Sequence, residues 1–248
     1  MDLFVNSGGG ATSCISVRLH DACLFFEKYK QWPQNIDSSN QFEMFQLDQR
    51  VDFSKYVFAS YQKPFENEFI NFNHGWQFGW YDTIDIIKLS ILANKICPLS
   101  NQIVDKSFEF WNRIIGRGSV LYRGNDKCKE VPVVPYSLML KMAKETKVKK
   151  WVVQTDELEF YQYWKEKFPD TIRIKEIPMI SKNTDSYVMP ENRTEFLINF
   201  IAALRAISMS ETLLTTTGNT GLWACIFRGN TKNVYQAWGG HKDFKKLS

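Results

Sequence analysis

Residues 120–127 read VLYRGNDK: an apolar run ends at Arg123, and Asp126 and Lys127 follow almost at once. Two cations and a carboxylate at the mouth of a strand suit a ligand that carries negative charge. A guanidinium fork can bridge two oxyanions, and an ammonium adds a further point charge. Two other stretches end in the same manner. KWVVQT runs into Thr155 and Asp156, and TLLTTT runs into TGNTG (217–221), a turn that leads straight into a helical pattern. The first turn of a helix leaves amide N–H groups unbonded and carries the positive end of the helix dipole. Thr217, Gly218, Asn219 and Thr220 are therefore expected either to cap that helix or to hold an anion. A guanidinium beside a helix N-terminus is chemistry for a diphosphate.

These segments need a scaffold that brings them together, and the second half of the chain supplies the pattern for one. VLYR, KWVVQT, TIRIKEI, TLLTTT and KNVYQAW read as strands. PYSLMLKMAKE, DELEFYQYWKEKF, ENRTEFLINFIAALRAIS and NTGLWACIF read as the helices between them. Alternation of this kind predicts right-handed crossovers and a mostly parallel sheet with helices on both faces, whose ligands bind beyond the C-terminal strand ends. Arg123, Asp156 and the 217–220 turn all fall on that edge.

The first half is less regular. A short strand, LFVN, precedes SGGGATS (7–13) and a helical pattern that stops at Pro33. FEMFQL and KYVFASY are predicted strands by aromatic and β-branched content, FNHGWQFGWYD (72–82) a loop by its glycines. TIDIIKLSILANKI and SNQIVDKSFEFWNRIIG have the 3.6-residue period of helices. The break at GRG (116–118) divides the chain into lobes of residues 1–117 and 118–248. Gly8, Gly9 and Gly10 do not make the G-x-x-x-x-G-K-[ST] loop, and they meet G-x-G-x-x-G only if Ser13 stands for the last glycine. They are read as letting the backbone approach a ligand in the cleft between the lobes.

Composition sets the remaining bounds. A hydrophobic content of 44% with 23% charged residues is that of a globular protein with a core of its own. The net charge of +4, from 31 Lys and Arg against 27 Asp and Glu, is too small and too evenly spread for a duplex nucleic-acid partner. No signal-peptide pattern opens the sequence, and the most apolar windows are short and carry Lys88, Lys95 and Arg205, so a soluble cytoplasmic protein with no membrane span is expected. The five cysteines are scattered without C-x-x-C spacing, which predicts reduced, buried thiols rather than a zinc site or a disulfide framework. No D-x-D occurs, and Asp82 and Asp85 are read as partners of a helix N-terminus rather than metal ligands.

VLYRGNDK resembles the His-x-Arg-Arg-(Thr/Gly)-Asp-(Lys/Tyr) signature of the GDP-fucose fucosyltransferase superfamily, which includes the α1,6, α1,2 and protein O-fucosyltransferases. The glycine loop after the first strand, KKWVVQTDELEFYQYWKEKFPD and LLTTTGNTGLWACIF are similar to three further segments of that family, in the same order. The likeness covers about residues 1–35 and 118–235. It implies a GT-B fold of two Rossmann-like lobes with the ligand cleft between them, the donor in the C-terminal lobe, and inverting, metal-independent transfer with no cofactor. Arg123 falls on the arginine that holds the donor diphosphate. Asp126, Lys127 and Asp156 fall on the acidic and basic positions near it, and Thr217, Gly218 and Asn219 on the serine-rich turn. Leu121 stands where the family has histidine, Gly124 where it has a second arginine, and Asn125 where it has threonine or glycine, so the donor's base and sugar stay open.

The resemblance implies that a glycan acceptor faces the first lobe. A general base, if one is used, is His20, Asp21, His74 or Asp82. Trp76, Phe78, Trp80 and Tyr81 offer rings on which sugars could stack, although aromatic clusters also build cores. Arg123, His74 and Asp82 are thus the candidates for catalysis, and His20, Trp76 and Trp80 those for the acceptor. A transferase for another nucleotide sugar and a non-catalytic glycan- or nucleotide-binding module are the alternatives.

Overall fold

The computed structural model describes residues 1–7, 9–45, 51–124, 132–179 and 191–247. In the second half, alternation becomes a five-stranded sheet. Strands β3 (Gly118–Tyr122), β4 (Trp151–Thr155), β5 (Leu213–Thr216) and β6 (Val234–Ala237) are parallel, and β7 (Phe244–Lys246) runs antiparallel to β6. The order is β4-β3-β5-β6-β7. The chain moves outward from β3 to β4 and then crosses back to β5, so the winding reverses between β3 and β5. Such a reversal leaves a crevice beyond the strand ends, because the connections on its two sides lead away from each other.

All four parallel strands are buried along their whole length, as a sheet covered on both faces requires. Successive side chains alternate between two cores. Val120, Val153 and Leu214 face helices α5 (Tyr136–Lys144) and α6 (Leu158–Lys167), where Tyr122 stacks on Phe160 with centroids 3.9 Å apart. Leu121, Val152, Leu213 and Val234 join the other, larger core. That core takes in α1 (Ala11–Tyr29), α3 (Ile86–Ile96), α4 (Asn101–Ile114), α7 (Arg193–Ser208) and α8 (Asn219–Arg228). α4 lies along α7, and α8 packs on α1, α3 and α7, so helices from both halves cover one face of the sheet.

Local chemistry accounts for the helix ends. Asn192 caps α7, its Oδ1 accepting from Glu195 N at 3.1 Å while its Nδ2 donates to Glu195 Oε2 at 2.9 Å. α8 stops at Gly229, which takes the left-handed conformation (φ 70°). Arg228 then donates to the carbonyls of Ser208, Ser210, Glu211 and Lys232, and so holds the end of α7 against the start of β5.

The first half departs from the expected strands. Among the described residues its strands are β1 (Leu3–Phe4) and β2 (Ile36–Asp37), paired in parallel, with isolated bridges between Ser7 and Gln41 and between Phe58 and Leu99. The described part of FEMFQL is a 3-10 turn at Glu43–Phe45, and KYVFASY begins inside the short helix α2 (Ser54–Val57). Their aromatic content reflects burial rather than pleating. Phe42 turns the chain at φ 64° and is enclosed between Phe45 and Phe58, and Phe45 stacks on Phe196 of α7. FNHGWQFGWYD winds into two 3-10 turns, His74–Phe78 and Tyr81–Thr83. TIRIKEI makes a single bridge, Ile172 to Val152, before Ile174 and Ile177 turn into the core.

Among the described residues, no helix is long and apolar enough to cross a membrane. Cys14, Cys23, Cys97 and Cys225 are unpaired and buried. Burial pushes the thiols of Cys23, Cys97 and Cys225 up to about 12, which removes the thiolate needed for reaction near neutrality. Ellman's reagent at pH 8 is accordingly expected to titrate at most one of the five thiols in the native protein and all five after denaturation. Rapid reaction of two or more native thiols would contradict this packing.

Candidate active site

A cavity of about 550 Å³ opens at the C-terminal edge of the sheet, in the crevice between β3 and β5. Its size is within the range of about 300–1,000 Å³ usual for small-ligand sites. Arg123, Asp156 and residues 217–221 line it from the sheet side. Gly9, Gly10 and His74 line it from the first half of the chain. Gly8, Asp126 and Lys127 lie outside the described residues.

At the β3 exit, Gly124 N donates to Asp156 Oδ1 at 3.1 Å, and Arg123 Nε stands 4.0 Å from Asp156 Oδ2. Asp156 thereby joins the ends of β3 and β4 and keeps the guanidinium at the cavity rim. A Cβ at Gly124 would lie 1.8 Å from Oε2 of the buried Glu157, so a side chain there requires Glu157 to move. The turn is closed further by Glu157 N donating to Thr155 Oγ1.

The β5–α8 turn is held from a distance. Tyr81 is fully buried. Its hydroxyl donates to Gly218 O at 2.9 Å and accepts from Gly218 N at 3.0 Å. Gln77 O accepts from the same amide at 2.9 Å. Burial raises the Tyr81 hydroxyl well above the ordinary tyrosine range, so it stays protonated and keeps both roles. The strap is tied to β6 as well, because Gln236 Oε1 accepts from Tyr81 N and Gln236 Nε2 donates to Gly79 O, each at 2.9 Å. Gly218 itself sits at φ 134°, where a side chain would be strained.

Asn219 does not cap α8, although its type and position suggested that it could. Its Oδ1 accepts from Ser16 Oγ at 2.9 Å, and Trp223 Nε1 donates to the same hydroxyl at 2.7 Å, a buried network that ties α8 to α1. The N-cap is Gly218, with no side-chain bond. The amides of Asn219, Thr220 and Gly221 consequently have no acceptor among the described residues. α1 begins alike: Gly10 is an N-cap without a side-chain bond, no acidic residue occupies the first turn, and Ala11, Thr12 and Ser13 line the cavity. Two helix N-termini, each equivalent to about half a positive charge, thus face one cavity alongside Arg123. That arrangement can hold a doubly charged anion.

Other expected site residues lie elsewhere. His20 is hydrogen-bonded through Nδ1 to Phe72 O, and Trp76 packs edge-on against Phe72. Trp80 contacts Trp238 and His241 and lies under Lys245 Nζ, which is 3.3 Å from Asp82. None of these, nor Asp21, lines the cavity. His74 does, with Nε2 3.0 Å from Gln77 Nε2. Missed from the sequence were the brace, Gln77 and Tyr81, and an apolar wall of Leu121, Ile177, Phe196 and Phe200. The wall had a faint signal in the aromatic i, i+4 pair of α7, but the brace depends on a contact with no local mark. Among the described residues, no group of three or more His, Cys, Asp or Glu could hold a metal ion.

A doubly wound sheet with a cavity at its switch point, backed by a smaller N-terminal parallel unit, defines a GT-B-type α/β protein. No protein-family model and no curated protein matches the sequence. Solved structures do match. The NodZ α-1,6-fucosyltransferase co-crystallised with GDP aligns at TM-score 0.60 and 11% identity, over 99% of this chain and 98% of that one. The same enzyme soaked with GDP-fucose gives 0.58, over 100% and 99%. The fucosyltransferase NodZ from Bradyrhizobium gives 0.56 at 11% identity, over 100% and 99%. The chain has the fold of these structures along its full length.

Gly221 allows α8 to rest on β5: a Cβ there would lie 2.5 Å from both Thr215 Oγ1 and Thr216 O, and 3.0 Å from the Tyr81 hydroxyl. Gly221→Ala is expected to lower the unfolding free energy by about 1–3 kcal/mol. Tyr81→Phe, which leaves Gly218 O without its donor and Gly218 N with Gln77 O alone, should act in the same direction. Urea unfolding checks both, and unchanged midpoints would place the turn differently.

Proposed function

We propose that this protein is a glycosyltransferase that moves a fucosyl group from GDP-fucose to a hydroxyl of a glycan acceptor, with inversion and without a metal. The observation that carries the reading is the convergence of Arg123 with two uncapped helix N-termini on one cavity. The fold supports it, since proteins of this architecture have been crystallised with GDP and with GDP-fucose. In this reading residues 118–248 form the donor-side lobe and residues 1–117 the acceptor side.

The chemistry follows from where charge develops. As the bond between the anomeric carbon and the diphosphate oxygen breaks, negative charge accumulates on the nucleoside diphosphate and the sugar becomes oxocarbenium-like. Fixed donors aimed at that charge stabilise the transition state more than the ground state, by about 2.7–4 kcal/mol for one well-placed donor. Arg123 takes the largest share because its fork spans two oxygens. The amides of residues 219–221 and of the first turn of α1 act on the same diphosphate, with Lys127 and Asp126 beyond the strand end in supporting roles. On the opposite side of the anomeric carbon the acceptor hydroxyl loses its proton. His74 is the candidate base, since it alone among those considered lines the cavity.

A non-catalytic nucleotide-sugar binder is the second reading. Gly124 favours it, because Glu157 fills the space where an arginine would begin. Release of GDP from GDP-fucose, with or without acceptor, separates the two.

Arg123→Ala is expected to leave the circular dichroism spectrum unchanged and to lower transfer by at least about 100-fold. Arg123→Lys should recover only part of the loss. Wild-type turnover in Arg123→Ala would remove the diphosphate from this site.

A further inference from the structure

Three buried polar atoms lining the cavity have no hydrogen-bond partner among the described residues: Gln77 Oε1, Thr220 Oγ1 and Gln154 Oε1. Their places differ. Thr220 belongs to the α8 cradle, and Gln77 is joined to it through its own backbone. Gln154 stands at the other end, on β4, with β3 between it and β5. Two inter-strand spacings amount to about 10 Å. The gap is of the order that a ribose bridges between a diphosphate and a base.

The surroundings of the two glutamines differ in kind. Gln154 is 8% exposed, and no hydrogen bond reaches either end of its amide among the described residues. Its cross-strand neighbour in register is Leu121, which shares its sheet face. Phe196 and Phe200 of α7 and Ile177 complete an apolar wall on that side of the cavity. A slot with apolar walls and one primary amide accepts a flat ring with a hydrogen-bonding edge, because the amide offers a donor and an acceptor side by side. It does not suit a polyhydroxylated sugar, whose other hydroxyls would be left unpaired against Leu121 and the phenyl rings. Gln77 instead lies beside His74, among polar groups.

Resting on the diphosphate reading above, we propose that the donor lies with its nucleobase against Gln154 and its sugar toward Gln77 and His74, and that Gln154 decides which base is accepted. The amide hydrogen-bonds the base edge, and only a base whose edge matches it in the pose set by the diphosphate relieves the buried Oε1. Specificity of this origin exceeds that of apolar contact, because a mismatched base leaves the amide unpaired.

The experiment is calorimetric titration of the wild-type protein, Gln154→Leu and Gln77→Leu with GDP, UDP, ADP, CDP and inorganic pyrophosphate. Leucine conserves the volume and removes the polar edge. In the wild type, one nucleotide is expected to bind at least about tenfold tighter than the weakest, a difference one matched polar contact can supply. Gln154→Leu should compress that spread to under about threefold while pyrophosphate binds as before, and Gln77→Leu should preserve the ranking of bases. Retention of the wild-type ranking in Gln154→Leu, or its loss in Gln77→Leu alone, overturns the assignment while the diphosphate site stands. An absence of pyrophosphate and nucleotide binding from the wild type instead removes the diphosphate site, and this orientation falls with it.

Discussion

Both backbone polar groups of Gly218 are bonded to the hydroxyl of Tyr81, 137 residues earlier in the chain. That contact sets the angle at which β5 passes into α8, and therefore the direction in which the next three amides point. The hydroxyl is out of water and remains protonated, so it keeps both bonds without competition from solvent. A serine or threonine cap would have satisfied one of those amides internally. With glycine at the cap and the brace outside the helix, they have no acceptor among the described residues.

The same division of labour recurs across the site. Asn219 is polar and stands at a helix start, yet its side chain serves the joint between α8 and α1 through Ser16 and Trp223. Asp156 is bonded to the Gly124 amide and stands 4.0 Å from the Arg123 guanidinium, so it acts on charge placement as well as charge. Side chains fix the frame, and backbone amides together with one arginine present the positive field. A field built from backbone depends little on side-chain identity. The architecture, likewise, is kept at only 11% identity to NodZ.

The apolar face of the crevice has a different origin. Leu121 and the α7 phenylalanines belong to the large core that α1, α3, α4, α7 and α8 build against the sheet. The cavity is where that core runs out at the strand ends and polar groups replace apolar ones along β3, β4 and β5. Gln154 lies on this boundary, on the same strand face as the fully apolar Val152.

Much of the second half was legible from the chain alone. Strand and helix alternation, continuous apolar strands and the turn residues of TGNTG are local properties, and a parallel sheet with its site at the C-terminal edge follows from them. Arg123 and the 217–220 turn were placed at that edge in the same way, and both line the cavity there. In the first half, aromatic residues around Phe42 and Phe58 looked like strands, because the same side chains that favour pleated sheets also fill gaps between helices. Tertiary structure alone decided that Trp80 and Asp82 turn toward Lys245 and away from the cavity, that Tyr81 braces Gly218, and that a Cβ at Gly124 would meet Glu157. The reason is physical. Periodicity and turn chemistry act over a few residues, whereas the partner of a buried polar group is set by which distant segment the folded core brings within about 3 Å of it.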